Sequence, residues 1–123
     1  MLRTSQTRVL DGHDLDEVQA LLARNPVEDV FVSSRVETCG LDSWRLGAEI
    51  WGYGERGALT SLCYAGANLV PVQAGGDAVR AFAERARRQG RRCSSLVGNA
   101  AAAMGMWQVL EPVWGPAREV RAN

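Results

Sequence analysis

Apolar and polar residues recur with two periods along this chain, and the switches between the periods mark its elements. Leu69-Val70-Pro71-Val72 is a short apolar run that predicts a strand. Gln73-Ala74-Gly75-Gly76-Asp77-Ala78 is a tight turn that opens a helix. Val79, Phe82, Ala83 and Ala86 then keep helical spacing, and Gly90 ends that helix. Arg92 to Val97 predicts another strand, closed by Gly98-Asn99 and a final helix that Trp107, Val109 and Leu110 complete. Pro112, Gly115 and Pro116 break the chain, and Arg118-Glu119-Val120-Arg121 reads as a last strand.

The first half carries the same signals. Thr7-Arg8-Val9-Leu10 predicts a strand and Asp11-Gly12 a turn. Asp14 with Glu17 three residues on reads as a capping box for a helix bearing Leu15, Val18, Leu21 and Leu22, which Asn25-Pro26 ends. Val27 to Cys39 carries two patterns. Val30, Phe31, Val32 and Val36 favour a strand by propensity, whereas Val27, Val30, Phe31 and Ser34 keep helical spacing. The helix, stopped at Gly40, is preferred. Leu41 to Gly47 reads as a polar loop carrying Trp44. Glu49 to Tyr53, the turn Glu55-Arg56-Gly57, and Ala58 to Tyr64 predict a hairpin, and Gly66-Ala67-Asn68 turns into the Leu69 strand.

The resulting order is β-α-α-β-β-β-α-β-α-β. It describes an α/β (α+β) chain with a mixed, mostly antiparallel sheet flanked by helices. At 123 residues the expectation is one domain spanning 1–123. Acidic and basic residues balance at 14 each, which argues against a nucleic-acid binder. All the basic residues are Arg, read here as compositional bias. The odd set Cys39, Cys63 and Cys93, without a C-x-x-C, argues against a disulfide framework or a metal site. No signal-like stretch and no membrane-length apolar run occur, so a cytoplasmic location is expected.

The run Leu69 to Ala78 matches a strand followed by a Gln/Arg-x-x-Gly-x-Gly/Ala loop, with Gln73, Gly76 and Ala78 on the defined positions. The chain thereby resembles the GCN5-related N-acetyltransferase superfamily. The runs Asn25 to Val32, Trp51 to Gly54, Ser61 to Val72 and Gly90 to Ser95 extend the likeness. They resemble the uncharacterised N-terminal domain of a two-domain actinobacterial acetyltransferase family. The resemblance implies that a C-terminal acetyltransferase domain is this chain's partner, with homodimerisation as a further expectation. It also implies that acetyl-CoA is the cofactor, held by Val72, Gln73, Gly75, Gly76 and Ala78, and that acetyl is transferred to an amine. The alternative is a non-catalytic scaffold, dimerisation or acceptor-shaping domain with a degenerate cofactor site.

The residues support a strand–glycine turn–helix anion site, because unpaired N–H groups point out of a first helical turn. Asp77 opposes an anion there and reads equally as an N-cap. No catalytic residue is assigned. The superfamily's proton-donating Tyr would fall near Met106, and Met106-Trp107 cannot fill that role. Glu49 and Glu55 read as hairpin charges, and Cys63 and Cys93 as packed thiols without a functional partner in His13. Arg80, Arg85, Arg87, Arg88, Arg91 and Arg92 read as a solvated face, with Glu84 four residues from Arg80 and Arg88. Trp107, spaced with Met104 and Leu110, is expected in the core. Gly52 and Gly54 leave one face of their strand bare, open to a ligand or a packed backbone.

Overall fold

A computed structural model describes residues 7–115 and the backbone of 121–122. The elements are β1 (Thr7–Val9), a 3-10 turn (Gly12–Asp14), α1 (Leu15–Leu22), α2 (Val30–Cys39) and α3 (Ser43–Leu46). They continue with β2 (Glu49–Tyr53), β3 (Ser61–Ala65), β4 (Asn68–Val72), α4 (Gly76–Gln89), β5 (Ser95–Gly98), α5 (Ala100–Trp114) and β6 (Arg121–Ala122). The six strands lie in the sheet in chain order. β1 to β4 pair antiparallel, and β5 joins β4, and β6 joins β5, in parallel. The mixed sheet flanked by helices is the fold class expected from the pattern.

Strand alternation divides the core into two layers. Ile50, Leu62, Tyr64, Val70 and Val72 point to the face covered by α1 and α2, where Val18, Leu21, Val32 and Val36 meet them. Trp51, Cys63, Leu69 and Leu96 point to the other face, against Phe82 and Ala83 of α4 and Met106 and Leu110 of α5. The ambiguous segment after Pro26 is helical because Val32 and Val36, one turn apart, both bury fully, and Gly40 ends it at φ 65°. Burial on one helical stripe outweighs the strand propensity of its β-branched residues.

Several expectations are corrected. Asp14 and Glu17 form no capping box. The box belongs to the preceding turn, where Asp11 caps it and Asp14 reaches back to the Asp11 N–H. Asp14 is buried and accepts from Arg8 at 3.0 and 3.2 Å and from Arg56 Nε at 3.2 Å. Those guanidinium groups, Arg8 first, pull its pKa down to about 2. Glu17 instead accepts the Gly57 and Leu59 N–H groups of the hairpin, each at 2.9 Å. The polar loop holds a helical turn, α3, capped by Asp42, which buries Leu46 and leaves Trp44 91% exposed. β5 starts only at Ser95. The last helix runs past Leu110 through Pro112 to Trp114, and the proline, having no N–H, gives up one hydrogen bond in its final turn. Met104 is 44% exposed and Trp107 half-buried, because Met106 and Leu110 take the inner stripe instead. The bare face at Gly52 is filled: a Cβ there would meet Leu59 and Leu10 methyls at 2.8 and 2.9 Å. The strand expected at Arg118–Arg121 lies, for residues 118–120, outside the described residues.

Candidate functional site

A crevice opens where β4 and β5 part. The two strands pair only at Asn68–Ser95 and Leu69–Leu96. The Gly66 N–H donates to the Asn68 carbonyl, which sets the β3–β4 register so that Val70 and Val72 turn their backbone groups to β3. Leu69 and Pro71 therefore face β5, and Pro71 has no N–H to extend the ladder. Beyond it lies a cavity of about 290 Å³ between β4 with its turn, the Gly98-Asn99 end of β5, and the start of α2.

Three helices begin at this cavity. Asp29, Gly75 and Asn99, the N-cap residues of α2, α4 and α5, all line it. Each helix start carries a positive partial charge of roughly half a unit. Asn99 Oδ1 caps its own helix, accepting from the Ala101 and Ala102 N–H groups at 3.0 and 3.3 Å. At α4 no side chain caps: the N-cap is Gly75, not Asp77, which is exposed in the first turn. The expected Asp77 cap is thus corrected, and the first N–H groups of α4 have no side-chain acceptor among the described residues. A Cβ at Gly75 or Gly76 would meet nothing within 4 Å, so packing does not require glycine at either position.

Of the residues expected to hold a cofactor, Gly75 lines the crevice and Gly76 opens α4 beside it. Val72 lines it too, while packing its side chain in the α1–α2 core. Ala78 is buried against the α5 side and contributes only backbone. Gln73 is a strut. It adopts φ 53°, a left-handed conformation that a non-glycine residue holds only when fixed by its surroundings. Ser61 Oγ donates to its carbonyl at 2.8 Å, and its Nε2 donates to the Leu21 carbonyl at 2.7 Å and to Asp29 Oδ2 at 2.9 Å.

Asp29 and Glu28 are the site residues that the sequence reading missed. Asp29 is only 6% exposed, and burial pushes its pKa up. Its one legible signal was its place before the apolar run, as an N-cap. Both acids line the crevice and oppose part of the positive field there. For the anionic end of acetyl-CoA the crevice offers the uncapped N-terminus of α4 and two open glycines, with Glu28 and Asp29 opposing it. For the reacting end it offers no proton donor at Met106, which is fully buried in the core.

The remaining candidates are placed elsewhere. Cys63 is fully buried and burial raises its pKa strongly, which keeps the thiol protonated and inert; Cys93 is shifted the same way. The His13 ring nitrogen lies 3.2 Å from Asp11 Oδ1. Glu55 is exposed in the hairpin turn, and Glu49 is half-buried at the start of β2. Arg80, Arg87, Arg88, Arg91 and Arg92 are exposed, as expected of a solvated face, and Arg85 is half-buried. Arg85 reaches the Thr7 carbonyl and hydroxyl at 3.2 Å, and Glu84 pairs with Arg87 at 2.8 Å rather than with Arg80 or Arg88. Among the described residues no group of three or more His, Cys, Asp or Glu is placed to hold a metal ion, and no helix is long and apolar enough to cross a membrane.

A family model, the domain of unknown function DUF4081, matches residues 48–123, from the residue before β2 onward. No curated protein and no solved structure matches the chain. The match spans most of the sequence, including β4, β5 and the two crevice helices α4 and α5 but not α2, and the chain belongs to the DUF4081 family.

Proposed function

We propose that this chain is an acetyltransferase-type domain of an acetyl-CoA-dependent N-acetyltransferase, whose crevice keeps the anion-binding part of a cofactor site without the chemistry of transfer. The observation that carries this is the convergence of three helix N-termini on the open ends of β4 and β5, with α4 uncapped. Crevices at the carboxyl ends of parallel strands are where α/β sheets bind ligands, and fold alone does not name the reaction. Gly75, Gly76 and the backbone of Asp77 and Ala78 would hold the pyrophosphate, and Gln73 would keep the turn in shape. When bound, acetyl-CoA would supply the activated acyl group. This chain offers no proton donor for the thiolate on α5, and the acceptor amine is the concern of the partner C-terminal acetyltransferase domain.

A second reading is favoured by one specific observation, the two acids in the crevice. Glu28 and Asp29 repel a pyrophosphate, and on that ground the domain would be a scaffold, a dimerisation unit or an acceptor-shaping half with no cofactor at all. Isothermal titration with CoA and acetyl-CoA separates the two. The first reading predicts binding that Gly76→Glu abolishes, since the added carboxylate extends from α4 into open space and keeps the fold. Absence of heat from a chain shown by circular dichroism to be folded would leave the scaffold reading. Acetyl transfer by the isolated chain would overturn both.

A further inference from the structure

The other end of the α4–α5 layer holds a second cavity, of about 420 Å³. That is within the roughly 300–1,000 Å³ range of small-molecule sites. It lies where β2 and β4 begin and β3 ends, and the last turns of α4 and α5 close it with Gln89 and Trp114. Both helices present their C-termini here, the negative end of the helix dipole.

Two opposite charges line this cavity without meeting. Glu49 and Trp51 share one face of β2, and Trp51 Nε1 donates to Glu49 Oε1 at 2.9 Å. That bond fixes the carboxylate and leaves Oε2 without a hydrogen bond among the described residues. The neighbouring cations Arg85 and Arg91 are committed. Arg85 lies over the Trp51 ring at 5.3 Å, and Arg91 lies over the Trp114 ring at 5.9 Å and donates to the Cys93 carbonyl. Arg92 is exposed, lines the cavity, and makes no hydrogen bond or ion pair among the described residues. Glu49 is not its partner, although both line the same space.

We infer that this cavity binds a free amino acid. Its ammonium group would be taken by Glu49, in the negative field of two helix C-termini. Its carboxylate would be taken by Arg92, whose planar guanidinium pairs two oxygens at once. Its carbon skeleton would lie along Trp114. The inference is independent of the crevice at the opposite end, so a CoA titration neither supports nor weakens it.

The test is a thermal-shift screen of the whole chain against the twenty common L-amino acids at millimolar concentration, followed by titration calorimetry on those that bind. At least one should stabilise the fold. Glu49→Gln and Arg92→Gln should each weaken that amino acid by about tenfold or more, the scale of a lost charge-assisted hydrogen bond. Both variants should fold, because a glutamine oxygen still accepts from Trp51 and Arg92 is exposed. The methyl ester of the same amino acid should keep its dependence on Glu49 and lose its dependence on Arg92. A screen in which none of the twenty binds overturns the assignment. So does an amino acid whose affinity survives either substitution.

Discussion

Where β4 and β5 finish, α4 and α5 present their N-termini; where β2 and β4 start, the same two helices present their C-termini. The first end adds a third helix start, at Asp29, and places two carboxylates against the positive field. The second adds the Glu49 carboxylate to a negative field and brings Arg92 alongside. One helical layer, anchored once in the middle, thus offers two cavities that suit different ligand charges. The lesson is that helix direction sets the sign of each end, and a few side chains then reinforce or oppose it.

Removing the shared anchor should break both ends together. Phe82 is fully buried at the centre of the α4–α5 layer. Phe82→Ala should cost roughly 3–5 kcal/mol, read from urea unfolding, and should abolish binding at both cavities. Loss of one cavity alone would show that the ends are built independently.

Acid should act on the lock between the start of α1 and the hairpin. Asp14, locked by Arg8 and Arg56, joins the start of α1 to the β2–β3 hairpin near the side where β4 ends. Its folded pKa is depressed to about 2 from 3.8, so its contribution is present above the unfolded value and is lost as pH falls through about 2. The loss should amount to about 2 kcal/mol of unfolding free energy, and Asp14→Asn should flatten that part of the pH profile. An unchanged acid limb in the variant would contradict the lock.

A smaller change should sharpen the contrast in charge. Asp29 has a raised folded pKa, so the stability it contributes is present at low pH and declines as pH rises through that value. Asp29→Asn keeps an acceptor for Gln73 and removes the buried charge. It should stabilise the fold at neutral pH by up to about 1 kcal/mol and tighten CoA binding in the crevice. Weaker CoA binding in this variant would mean that the carboxylate is part of the site rather than opposed to it.

Much of the fold was legible in the sequence. The helix over Phe82 and Ala86, the hairpin and the meander follow directly from spacing and turn residues, since each depends on neighbours close in the chain. What escaped depends on distant partners. Asp14 and Glu17 looked like a cap because the pattern is local, but Arg8, Arg56 and the hairpin amides, up to 42 residues away, take their oxygens instead. Gln73 stood at a motif position, and only its bonds to Leu21 and Asp29 reveal a strut. Glu49 read as an edge charge because nothing in its own segment shows that α4 and α5 end above it.

The most direct measurement is a pair of ¹H–¹⁵N correlation titrations on one labelled sample, first with CoA and then with the amino acid found by screening. The account predicts that CoA moves the amides of Gly75 to Ala78 and Asn99 to Ala102. It predicts that the amino acid moves those of Glu49, Ala65 to Ala67 and Arg92, with no overlap between the sets. Both ligands moving the same amides would contradict the opposition of the two ends, and so would a CoA response confined to the Glu49 end.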